Sequence, residues 1–152
     1  MNKPAGFLLL FVLTLLLVTC KKNDDGPSNY DDLLVEEVNN YRTSIGLAPL
    51  ESHEELWKHA RDHSVYMAEN QTNTNSDGLL ERYEAIRTYF GGGTVVENVA
   101  RGTGGSAEDV VKEWLASIGH KANIEGNYTM TGISAVKSDN GSWYFTQIFF
   151  KQ

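Results

Sequence analysis

Cysteine is almost absent from this chain, and its absence is informative. Cys20 is the only one in 152 residues, so no intramolecular disulfide can staple the fold. Basic residues are also scarce, 13 against 20 acidic ones, for a net charge of −7. That balance argues against nucleic acid and against electrostatic attachment to anionic lipid. No apolar run approaches the roughly 20 residues that a membrane-spanning helix needs. The longest, residues 7–18, is 12 residues interrupted only by Thr14. Catalytic signatures are missing as well. There is no Gly-x-Ser-x-Gly elbow and no His-Glu-x-x-His zinc helix. Gly91-Gly92-Gly93 is not followed by a helix carrying a phosphate-binding lysine, so it reads as a backbone turn rather than a nucleotide loop.

The N-terminus has the pattern of a targeting segment. Lys3 supplies a positive start and residues 7–18 form the short apolar stretch of a signal peptide. The stretch ends in Leu17-Val18-Thr19-Cys20, which resembles a bacterial lipobox, with Thr19 larger than the usual small residue. The expected organisation is a signal peptide over 1–19, a lipidated Cys20 with a flexible tether over 20–29, and one domain over 30–152. A free thiol after ordinary cleavage and an uncleaved anchor are the alternatives. Cleavage would leave 12 basic against 20 acidic residues. Gly26, Pro27 and Ser28 suit a tether that keeps the domain clear of the bilayer. Lys22-Asn23-Asp24-Asp25 resembles the acidic signal that routes some Gram-negative lipoproteins to the cell surface, though plain solvated tethers carry such runs too. The expected location is therefore the outer membrane or cell surface of a Gram-negative bacterium.

Within the domain, Leu34, Val38, Tyr41 and Ile45 share one face of a helix over 30–45, which Gly46 ends. A second helix is expected from Ser52, with Glu55 completing a capping box and Leu56, Ala60, His63 and Met67 as its buried stripe. Residues 70–78 read as a loop. Residues 79–90 read as a third helix, carrying Leu80, Tyr83, Ile86 and Arg87. Ser106 caps a fourth that carries Val110, Val111, Trp114 and Leu115 and ends near Gly119. The period then changes. Residues 132–137 and 142–150 are β-rich around the hairpin signal Ser138-Asp139-Asn140-Gly141. The last strand is apolar on both sides, as a central strand covered by two layers should be. Helices first and strands last predict a single layered α+β domain.

Five segments in order resemble the CAP superfamily (cysteine-rich secretory proteins, antigen 5 and pathogenesis-related 1). Val38-Asn39-Asn40-Tyr41-Arg42 with Gly46-Leu47-Ala48-Pro49-Leu50 is similar to the family's opening helix and its exit. The second helix fits through Leu56, Ala60, His63 and Met67. Val96-Glu97-Asn98-Val99-Ala100 resembles its Gly-Glu-Asn-Ile-Ala motif, with Val96 for glycine. Residues 114–123 resemble the bacterial Trp-x-x-Ser-Pro-Gly-His-Arg-x-Asn motif, with Ile118 for proline and Lys121 for arginine. Residues 144–149 are similar to the closing strand. The resemblance implies a three-layer α-β-α sandwich of the CAP type and an extracytoplasmic protein whose activities are binding ones. It also implies a cleft in which two histidines and two glutamates can hold a divalent cation such as zinc. Carried over by residue, Glu97 and His120 match that set. Ser76 stands where its first histidine belongs, Ser117 where its second glutamate belongs, and the last histidine has no counterpart.

Two ligands fall short of the three or four that zinc normally takes. No cofactor is therefore expected to be required, and a weakly held divalent cation on Glu97 and His120 stays open. A plainer reading has Glu97 and His120 hydrogen-bonded to each other, pinning two loops, because a buried carboxylate needs a partner. His59 and His63 stand four apart but lack the glutamate of a zinc helix, and His63 falls on the apolar stripe, as a core histidine would. Ser76, His120 and Glu97 include the residue types of a nucleophile, base and orienting carboxylate, but Ser76 lies in a polar loop. Three functions remain in view: a non-enzymatic binding module for lipid or another small ligand, a hydrolase of peptide or ester bonds, and a structural envelope protein with a vestigial cleft. The expected partners are the membrane, through acylated Cys20, and that ligand.

Overall fold

The computed structural model describes residues 28–72, 74 and 76–152. The expected signal peptide, Cys20 and the expected tether up to Pro27 lie outside the described residues. The tether's last two expected residues belong to the domain. Ser28 is the N-cap of α1 (Asn29–Ser44), where its hydroxyl accepts from the Asp31 amide and the Asp31 carboxylate accepts from the Ser28 amide. The chain continues through β1 (Glu51–Ser52), α2 (Glu54–Asn70), α3 (Leu79–Phe90), β2 (Thr94–Gly102), α4 (Ala107–Ala116), α5 (Ile118–Ile124), β3 (Met130–Lys137) and β4 (Trp143–Lys151). Among the described residues no helix is long and apolar enough to cross a membrane.

The four strands lie in the order β1-β3-β4-β2, so β4 is central, as its two apolar faces require. Phe145 and Phe149 point to one layer, packing on Leu34 and Val38 of α1, Val110, Val111 and Trp114 of α4, and Ile124 of α5. Ile148 and Phe150 point to the other, against Leu56 and Ala60 of α2 and Ile86 of α3, while Tyr144 packs on Met67. The result is the expected α-β-α sandwich. Gly132 lets α2 lie directly on the sheet, because a Cβ there would collide with the Leu56–Trp57 backbone.

Several local expectations need correction. Ile45 is exposed at the end of α1, and Arg42 takes the buried place instead. Arg42 donates from Nε to the Ala48 carbonyl (2.9 Å) and from Nη1 to those of Ile124 (2.6 Å) and Gly126 (3.0 Å), tying α1 to the end of α5. Ser52 lies in β1, and α2 is capped by His53, whose Nδ1 accepts from the Glu55 amide at 3.2 Å. Leu80 is exposed and α3 buries only Ile86 fully. The fourth helix stops at Ala116 and a separate α5 follows it. Finally, residues 94–102 are a full strand rather than a loop.

Asp31 closes one edge of the sheet. It is only 2% exposed, yet its Oδ1 accepts from the Ala135 amide (2.8 Å) and its Oδ2 from the Trp57 indole (3.1 Å). β1 pairs with β3 only at Met130 and Thr131, so the carboxylate satisfies an amide beyond its reach.

Candidate functional site

Strand alternation decides where Glu97 goes. Val95 and Val99 pack toward α2 and α3, whereas Val96 and Ala100 pack toward α1, α4 and α5. Glu97 therefore faces α2 and α3, and its neighbour Asn98 faces α5. The Glu97 side chain is 3% exposed, and a carboxylate so deep requires a partner. Arg82 of α3 provides it. Nη2 meets the two carboxylate oxygens at 2.9 and 2.8 Å and Nε adds a bond at 3.1 Å. The remaining nitrogen, Nη1, donates to the Asp77 carbonyl at 2.7 Å and approaches His63 Nδ1 at 3.2 Å. Guanidinium nitrogens only donate, so His63 Nδ1 accepts.

Arg82 and His63, though not Glu97, line a cleft of about 370 Å³ between α2 and α3, together with His59, Asp62, Tyr66 and Asp77. Tyr66 donates to Asp77 Oδ2 at 3.2 Å, and that bond raises the phenol's pKa. Tyr83, next to Arg82 and half-buried, is pushed up to about 12, first by burial and then by the Glu97 charge.

His120 lies on the opposite side of the sheet's edge. Asn123 of α5 donates to Asn98 Oδ1 at 2.8 Å and to the Glu97 carbonyl at 3.3 Å, and Asn98 donates to the His120 carbonyl at 3.2 Å. The two motifs are thus joined by their asparagines. The His120 ring lines two adjoining cavities, one of about 190 Å³ with Val110, Glu113, Trp114, Ser117 and Phe145, the other of about 420 Å³ with Thr74 and Val99. Both include Ala100 and Arg101 and neither includes Glu97. The sequence pairing of Glu97 with His120 is therefore corrected: the two segments are joined through Asn98 and Asn123, but the Glu97 carboxylate turns to Arg82 while His120 lines the cavities on the other side. Ser76 lines none of these cavities. It is exposed, and its carbonyl accepts from the Leu79 amide at 3.0 Å as α3 begins. The three candidate catalytic residues are not brought into one constellation.

A divalent cation does not fit this arrangement. Among the described residues no three His, Cys, Asp or Glu side chains converge, and Glu97 already faces a resident positive charge. Sequence reasoning missed Arg82. The requirement that a buried Glu97 have a cation could have narrowed the choice, since Arg82, Arg87, Arg101 and Lys112 are the cations within 15 residues of it.

Comparison with known proteins agrees with this architecture. A family model described as the cysteine-rich secretory protein family (CAP) matches residues 35–149. The YkwD protein of Bacillus subtilis (strain 168) is 34% identical over 114 residues, which cover 73% of this chain and 44% of that protein. The chain therefore spans less than half the length of this relative. Among solved structures, an outer surface protein from Borrelia burgdorferi is similar with a TM-score of 0.68 and 25% identity, over 80% of this chain and 91% of that one. A cysteine-rich secretory protein from Staphylococcus aureus subsp. aureus Mu50 gives a TM-score of 0.65 at 20% identity, over 86% and 40% of the two chains. An extracellular protein containing an SCP domain, from Bacillus anthracis str. Ames, gives 0.63 at 21%, over 81% and 40%. These last two speak to the fold alone. The chain belongs to the cysteine-rich secretory protein (CAP) family.

Proposed function

We propose that this protein is an extracytoplasmic binding module, held to a membrane through an acylated Cys20, which captures a ligand beside His120 and performs no chemistry on it. The observation that carries the reading is the Arg82–Glu97 pair. A general base or a metal ligand needs an accessible carboxylate, and that of Glu97 is 3% exposed and already paired with a guanidinium through three contacts of 3.1 Å or less. Among the described residues the cavities beside His120 hold no such ion pair, and the smaller one keeps both apolar wall, from Val110, Trp114 and Phe145, and polar groups, from Arg101, Glu113, Ser117 and His120. That mixture is typical of ligand sites. An extracytoplasmic place is supported by the lipobox-like Leu17-Val18-Thr19-Cys20 and by the outer-surface and extracellular descriptions of similar structures.

The test is to probe lipid, glycan and peptide arrays with the full chain and with an Ala100→Trp variant that fills the shared wall of both cavities. Ligands held by the wild type, lost in the variant and recovered chemically unchanged by mass spectrometry are the expected result. Turnover of a bound ligand, or undiminished binding by a folded variant, would contradict the proposal. Labelling with a palmitate analogue, lost in Cys20→Ser, tests the anchor.

A further inference from the structure

The sheet has two edges, and they are treated differently. On the β3 side, Asp31 takes the Ala135 amide that β1 does not reach. The β2 side is an edge along its whole length. Which of its backbone groups point outward follows from β4. The carbonyls of Phe150 and Ser142 accept from the Thr129 and Ser138 amides, and that of Ile148 from the Thr131 hydroxyl, all on the β3 side. Even-numbered residues of β4 therefore bond toward β3, and odd-numbered ones toward β2. The register pairs Ile148 with Glu97 and Thr146 with Val99, so Glu97, Val99 and Arg101 turn their N–H and C=O groups away from the sheet. Asn123 covers the Glu97 carbonyl at 3.3 Å. Among the described residues, the outward groups of Val99 and Arg101 have no such cover, and the cavity of about 420 Å³ lies along them.

We propose that an extended peptide segment docks here as an added strand beside Val99, Ala100 and Arg101. This inference rests on the binding-module reading and names its ligand. Two donors and two acceptors, carried by residues two apart, match the two-residue repeat of an extended polypeptide and no feature of a lipid tail. The peptide residue opposite Ala100 shares its face, so its side chain points to the α4–α5 layer. There the cavity of about 190 Å³ offers Trp114 and Phe145 as apolar wall, with Glu113 and His120 beside them. Main-chain bonds supply affinity and this pocket supplies selection for a medium-sized apolar side chain.

The test uses the full chain in detergent and the probe acetyl-Thr-Thr-Leu-Thr-Lys-amide, beside an analogue N-methylated at alternate amides. In the free protein, the Val99 and Arg101 amides exchange with deuterium freely while those of Asn98 and Ala100 are protected. The probe slows exchange at Val99 and Arg101 about tenfold or more, as a site nine-tenths occupied requires. The N-methylated analogue does not. Val99→Pro, which removes one outward N–H and no ladder bond, abolishes the effect. Equal action by both peptides, no action at millimolar probe, protection already present in the free protein, or dimerisation through this edge would each overturn the proposal. A lipid or glycan ligand lost in Ala100→Trp, with the peptide silent, would sink this inference and leave the binding function standing.

Discussion

Asn98 and Asn123 grip each other at 2.8 Å, and through this contact the two family motifs meet. Each amide also reaches the opposite backbone, at the His120 and Glu97 carbonyls, so three hydrogen bonds depend on the pair. The contact locks α5 to the edge strand and thereby fixes where the His120 ring lies.

Replacing either asparagine strands a polar group in a largely buried setting. Asn98→Ala and Asn123→Ala are each expected to cost about 1–3 kcal/mol in urea unfolding. The double variant should cost less than the sum, with a coupling of about 0.5–2 kcal/mol. Strict additivity would show that the two side chains act independently.

Asp31 carries more than its share of the fold. Asp31→Ala removes the Asp31 half of the α1 capping box and orphans both the Trp57 indole and the Ala135 amide. A loss of about 3 kcal/mol or more is expected by the same unfolding measurement. Asp31→Asn keeps one acceptor and should lose less. A variant within about 0.5 kcal/mol of wild type, the usual range for an inconsequential surface site, would contradict this role.

Tyr83 sets an alkaline limit. Its phenol is neutral when protonated, and its folded pKa of about 12 lies above the ordinary value of 10.0. The folded state therefore holds that proton more tightly. The stability it contributes is whole below pH 10 and is lost as pH rises toward about 12. Tyr83→Phe should flatten the fall of thermal stability across that window. An unchanged slope would place the cause at other tyrosines.

Much of the architecture was legible because it depends on periodicity. The stripe Leu56, Ala60, His63, Met67 is buried throughout, α3 spans residues 79–90 as expected, and the hairpin at residues 138–141 joins two strands. Edge strand β2 escaped because its inward positions mix Val95 and Val99 with Glu97 on one face and Val96 and Ala100 with Asn98 on the other, which hides the alternation. The start of α5 escaped because Ser117 caps it without a side-chain bond and Ile118, at 90% exposed, breaks the apolar pattern. Charges buried by distant partners left no local trace. Arg82 lies 15 residues from Glu97, Arg42 is 82 from Ile124 and Asp31 is 104 from Ala135. Such pairs belong to the tertiary fold, and neither the helical nor the strand period marks which residues will meet.

Arg82 is central to the account. Arg82→Met would leave Glu97 charged and unpaired in a site only 3% exposed, and is expected to cost about 3–5 kcal/mol. The most direct measurement is a calorimetric titration of the wild-type protein with zinc, beside Glu97→Gln. If the guanidinium already fills the place of a cation, no heat should depend on Glu97. Stoichiometric zinc binding that disappears in Glu97→Gln would contradict the account.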